Sequence, residues 1–86
     1  MRNSTYILKY LQDHPCVDCG ERDTVVLEFD HVSGEKKWIV ARMVGHDIKT
    51  IELEIEKCEV RCANCHAIAT ARRKGAFRYR MTRPSE

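Results

Sequence analysis

The chain has no run of residues long and apolar enough to span a bilayer, so no membrane partner is expected from it. Its opening Met1-Arg2-Asn3-Ser4-Thr5 lacks the apolar core of a secretory signal, which points to the cytoplasm. Internal repeats and low-complexity stretches are absent, leaving one ordinary small domain. An even set of cysteines is also lacking. There are five, four of them in two C-x2-C pairs, which argues for a reducing compartment and metal ligation over disulfides. With 86 residues the chain is short of core as well. A domain of this size hides only about 60–65% of its unfolded surface and often needs an added staple.

Charge of one sign is scarce overall, at a net +2, but it is unevenly placed. Residues 1–65 carry nine Lys/Arg against twelve Asp/Glu, whereas residues 66–86 carry six against one. A basic end on an acidic body suits a polyanion partner, although a solvated helix face would give the same pattern.

The chain divides into residues 1–75, the domain proper, and 76–86, a basic C-terminal tail. Thr5 to Asp13 reads as a helix, with Tyr6, Ile7, Tyr10 and Leu11 at helical spacing and His14-Pro15 ending it. Cys16-Val17-Asp18-Cys19-Gly20 is a metal knuckle, and a strand is predicted from Val25. Trp38 to Val44 looks helical, offering Trp38, Ile39 and Met43 to the core before Gly45 closes it. His46 reads as solvated. Ile48 to Cys58 is ambiguous: Ile51, Leu53 and Ile55 alternate like a strand, while Ile48, Ile51, Ile55 and Cys58 form a helical stripe. Its glutamates and a capping Asp47 favour helix. Glu59-Val60-Arg61 is then a short strand, and Ala63 to Lys74 a helix stopped by Gly75. The whole reads as α+β.

Two constellations carry chemistry. Asp30-His31 ends the apolar run Leu27-Glu28-Phe29, joining a hard oxygen ligand to a proton acceptor. Strand alternation sends these neighbours to opposite faces, so a shared site requires regular pairing to stop there, with Gly34 supporting a bend. A strand-end acid beside a structural histidine is the plainer alternative. The second is C-x2-C-x42-C-x2-C, formed by Cys16, Cys19, Cys62 and Cys65. Four thiolates suit a structural zinc with no open position, and would tie the N-terminal segment to the last helix. Disulfides or a redox C-x2-C are the alternatives. Cys58 falls outside the tetrahedron and reads as a buried free thiol. His66 follows Cys65 directly; it stands in the first helical turn with Thr70 and Arg73 on its face, or serves as a spare zinc ligand.

Glu28-Phe29-Asp30-His31-Val32, together with Lys57-Cys58-Glu59-Val60-Arg61-Cys62-Ala63-Asn64-Cys65-His66, resembles the HNH endonuclease family. The likeness is to small zinc-stapled members of phages and mobile elements. It implies a ββα-metal (His-Me finger) core with flanking helices around the four-cysteine zinc. It implies Asp30 and His66 as holders of one catalytic cation (Mg²⁺, Mn²⁺ or Ni²⁺), and His31 as general base. The family's central Asn usually lies nine residues before the last His, where this chain has Lys57. Ala69 stands where the family often has a helix lysine.

The expected activity is therefore hydrolysis of DNA phosphodiesters, with Arg61, Arg72, Arg73 and Lys74 as candidate backbone clamps. DNA is the expected partner, and a homodimer or a larger phage assembly would be compatible with it. The alternatives are a catalytically inactive zinc module that binds nucleic acid, and a thiol-redox protein acting through Cys19 or Cys65.

Overall fold

The computed structural model describes residues 3–83. Met1, Arg2 and tail positions 84–86 lie outside the described residues.

Helix α1 (Asn3–Asp13) buries Ile7 and Leu11, one turn apart, with Tyr6 and Tyr10 half-buried beside them. His14 stacks its ring on Tyr10 at 3.8 Å, and Pro15 prevents further winding. The first knuckle turns through Gly20, whose φ of +81° suits a residue without a Cβ; its amide donates to the Cys16 carbonyl at 2.9 Å.

Strand β1 (Leu27–His31) starts two residues later than the sequence predicts. The Asp23 carboxylate accepts from the Val25 amide, and its carbonyl accepts from Val26, so residues 24–26 are committed to turns. Val25 is 88% exposed and adds nothing to the apolar face. A 3-10 helix, Val40–Gly45, replaces the helix expected from Trp38. Its three-residue period aligns Val40 and Met43, both buried. Trp38 and Ile39 precede it and stay exposed, contrary to expectation; the Trp38 ring instead meets His46 edge-on at 4.9 Å. His46 is therefore half-buried and packed rather than solvated.

Helix α2 (Ile48–Ile55) is capped by Asp47, whose carboxylate accepts from the Thr50 amide at 2.7 Å; the ambiguous stretch is helix only through Ile55, three residues short of the expected end at Cys58. Strand β2 (Cys58–Cys62) pairs antiparallel with β1, from Leu27 opposite Cys62 to His31 opposite Cys58. Helices α3 (Ala63–Lys74) and α4 (Phe77–Thr82) follow, the second within what the sequence presents only as a tail. No helix among the described residues is long and apolar enough to cross a membrane.

The two-stranded sheet separates two unlike surroundings. Leu27, Phe29, Val60 and Cys62 face an apolar core built with α1, α2 and the 3-10 helix. Glu28, Asp30, Glu59 and Arg61 alternate onto the other face, where α3 lies. α3 buries only Ala69, so charged contacts and the cysteines, not an apolar stripe, hold it against the sheet.

Candidate functional site

Cys16 and Cys19 come from the first knuckle, Cys62 from the end of β2 and Cys65 from the first turn of α3. Their four sulfurs lie within 4.8 Å of one another, with Cys19 and Cys62 Sγ at 3.8 Å. A tetrahedron of zinc–sulfur bonds of about 2.3 Å sets its sulfurs about 3.8 Å apart. The cluster can hold a structural metal such as zinc. Burial pushes the Cys16 thiol up, but backbone amides of Cys62, Cys19 and Asp18 more than offset this and bring it down to about 6, favouring the thiolate a metal needs. Cys62 also caps α3, its sulfur accepting from the Cys65 amide at 3.4 Å. Cys58 stays outside the cluster. Its thiol donates to the Glu54 carbonyl, and burial pushes it up to about 11.

Pairing continues in register through His31, so it does not stop before the pair, and Asp30 and His31 take opposite faces; the chain bends only afterwards, at Ser33-Gly34. Asp30 sits beneath α3 at 2% exposure. Arg73 clamps it with a two-pronged bond, Nη1 to Oδ1 at 2.8 Å and Nη2 to Oδ2 at 2.7 Å, and Arg61 Nη1 adds a third at 2.8 Å. Chiefly the Arg73 bonds hold its carboxyl below the usual range, against the opposing effect of burial. Arg61, expected as a DNA clamp, is turned inward instead. It is 7% exposed and also bonds Asp18 at 2.8 Å and Glu59 at 3.4 Å, which occupies the guanidinium.

His66 meets the same carboxylate. Its Nε2 lies 3.4 Å from Asp30 Oδ1, and its Nδ1 lies 2.7 Å from Glu28 Oε1. A carboxylate only accepts, so Glu28 accepts a hydrogen bond from Nδ1–H, and Nε2 is left facing another oxygen. Oδ1 itself already accepts from Arg73 Nη1, so a positive charge stands beside the pair. Asp30 and His66 thus offer two metal-type donors side by side. Among the described residues only the four cysteines bring three or more such donors together.

On the core face, His31 Nε2 donates to Glu54 Oε2 at 2.9 Å. Glu54 is 1% exposed, and its other oxygen accepts from Lys57 Nζ at 2.9 Å. The tautomer follows: Nε2 carries the proton and Nδ1 is the basic nitrogen. Burial pushes the Glu54 carboxyl up, but Lys57, the Lys37 amide, His31 and the Trp38 amide outweigh it and hold it at about 2. Lys57 also tethers the loop that follows His31. Its Nζ donates to the Glu35 carbonyl at 2.8 Å, and its own carbonyl accepts from the Val32 and Ser33 amides. The loop after His31 is thus fixed from both sides.

His31 and His66 line one cleft of about 290 Å³, together with Glu28, Phe29, Lys36 and Ile39 among others. The cleft takes residues from both faces of β1 and none from β2, so it lies along the unpaired edge of β1. Both histidines line that cleft, whereas Asp30, on the face under α3, is not part of its lining. Arg72 and Lys74 are exposed on α3, and α4 adds Arg78 and Arg80, with Arg83 just past its end. Ala69 is buried and offers no phosphate contact. Glu28 and Glu54 are the residues missed by sequence reasoning. Glu28 shares the face of Asp30 by simple alternation, and Glu54 falls three residues after Ile51 on the apolar stripe of α2.

Comparison with family models, curated proteins and solved structures finds no match to this chain.

Proposed function

We propose that the chain is a metal-dependent endonuclease of the HNH type that hydrolyses DNA phosphodiester bonds. The observation that carries this reading is the approach of His66 Nε2 to Asp30 Oδ1, 3.4 Å, at a cleft that His31 also lines. His31, with Nε2 anchored on Glu54, takes a proton at Nδ1 from the water that attacks phosphorus. The P–O bond to the 3′ oxygen breaks as the new P–O bond forms. A divalent cation held by Asp30 and His66 would supply the charge that stabilises the phosphorane and the departing oxygen. Glu28 keeps His66 in the tautomer that presents Nε2. Arg72, Lys74 and the arginines of α4 supply salt-sensitive, sequence-blind contacts to the DNA backbone.

Zinc-loaded protein is expected to nick or cut supercoiled plasmid with Mg²⁺, Mn²⁺ or Ni²⁺. His31→Ala is expected to abolish cutting with zinc content and circular dichroism unchanged; undiminished cleavage would remove His31 as the base.

One observation favours a second reading, a zinc module that binds nucleic acid without cutting it. Both oxygens of Asp30 are already engaged by arginines. A metal titration separates the two readings. The nuclease binds a second, weaker divalent ion that Asp30→Asn removes, whereas the module binds zinc alone.

A further inference from the structure

The two arginines on Asp30 are held very differently. Arg61 is fixed: its side chain is 9% exposed, and it bridges Asp18, Asp30 and Glu59. Arg73 is loose by comparison. Its side chain is 40% exposed, it reaches in from the last turn of α3, and among the described residues its hydrogen-bond partner is Asp30 alone. It crowds beside Arg72 and Lys74, both exposed, at a helix end with no acidic residue in the following segment up to Arg83. Yet Arg73 covers Oδ1, the one Asp30 oxygen that also faces His66. A cation between Asp30 and His66 would have to replace that bond and would meet a guanidinium at close range.

Phosphate is the other group that takes an arginine fork side-on. We propose that Arg73 is a removable counter-ion: it closes the cation site in the free protein, and a DNA backbone phosphate draws it off Asp30. Phosphate binding and cation binding at Asp30 then favour each other, and the site opens only on DNA. Arg61 stays in place and keeps the buried carboxylate from being left without a partner when Arg73 leaves. The coupling is reciprocal, so the cation must tighten DNA binding by the same factor that DNA tightens cation binding. The inference rests on the nuclease reading, in that it takes Asp30 and His66 to be the cation site.

The test is Mn²⁺ binding to the zinc-loaded full chain, followed by the paramagnetic signal of free Mn²⁺, with and without a short DNA duplex. A His31→Ala background keeps the duplex whole. With Arg73 present, the duplex is expected to tighten Mn²⁺ binding by about tenfold or more. Arg73→Gln should tighten Mn²⁺ binding to the free protein by a similar factor and reduce the gain from DNA to about twofold or less. Arg73→Lys, which keeps the charge but loses the fork, should fall between the two. If Arg73 only braces α3, Arg73→Gln lowers the melting temperature and leaves Mn²⁺ affinity unchanged or weaker, which overturns the proposal. Mn²⁺ binding that depends on Asp30 but ignores Arg73 sinks the counter-ion role alone. Mn²⁺ binding indifferent to Asp30→Asn, with or without DNA, sinks the nuclease reading itself and this inference with it.

Discussion

Glu54 is a buried carboxylate on a helix whose other inward positions are isoleucines. Such a group is tolerable only as an ion with its bonds filled, and Lys57, the Lys37 amide and His31 fill them. Its carboxyl is held at about 2, below the ordinary 4.5. The stability it contributes is therefore complete above pH 4.5 and is lost as pH falls from there towards 2. Comparing the natural chain with Glu54→Gln cancels the acid sensitivity of the thiolates. The difference in unfolding free energy between the two, read from urea melts, should be about 1–3 kcal/mol at pH 6 and shrink towards zero near pH 2. A difference that does not change with pH would show that the charge is not what these bonds hold. The same substitution should slow any DNA cutting by at least about tenfold with zinc content unchanged, because His31 loses its anchor. The role of Glu54 was within reach of the sequence, since Ile51, Glu54, Ile55 and Cys58 fall at i, i+3, i+4 and i+7. Reading glutamates as solvent-facing helix formers conceals it. The pairing of Asp30 with two arginines was not within reach, because it depends on how α3 crosses the sheet.

Helix α3 is the element with least apolar anchorage and most chemistry. It starts at a cysteine sulfur that caps it and ends at Gly75, whose φ of +64° puts it in the left-handed region. There the Gly75 amide donates to the Arg72 carbonyl and the Ala76 amide to that of Ala71, closing the helix. Nothing lies within 4 Å of where a Cβ would stand, so Gly75→Ala meets only the backbone penalty. It should lower the unfolding free energy of the zinc-loaded protein by about 1 kcal/mol in urea melts, leaving the folded spectrum intact. The start of α2 and both bounds of α3 were legible because a carboxylate cap and a terminal glycine are chemical marks on the sequence. The end of α2 was not, since the helix stops at Ile55 and Cys58, on the expected helical stripe, opens β2. The start of β1 was not, because Asp23 competes for the Val25 amide, and apolar pattern does not register such local bonds. The Trp38 segment failed for a related reason. Its residues were counted on a 3.6 period, whereas Val40 and Met43 use the three-residue spacing of a tighter helix.

At the scale of the molecule, two modest apolar clusters lie on one side of a two-stranded sheet, and a mostly polar face lies on the other. A radius of gyration of 14.3 Å exceeds the roughly 12 Å of a compact chain this long. The four-cysteine cluster joins residues 43 positions apart and links the two halves of that arrangement. Removing the metal with a strong chelator should therefore disorder α3 and lower or abolish the thermal transition, as followed by far-ultraviolet circular dichroism, and adding zinc back should restore it. A transition unmoved by chelation would mean that the apolar clusters suffice. The spacing also sets an order of events during synthesis. Cys16, Cys19 and His31 leave the ribosome well before Cys62, Cys65 and His66, so a nascent or prematurely ended product carries half of each constellation and completes neither. A cell making this chain would meet an assembled cleft only after residue 66 had been translated.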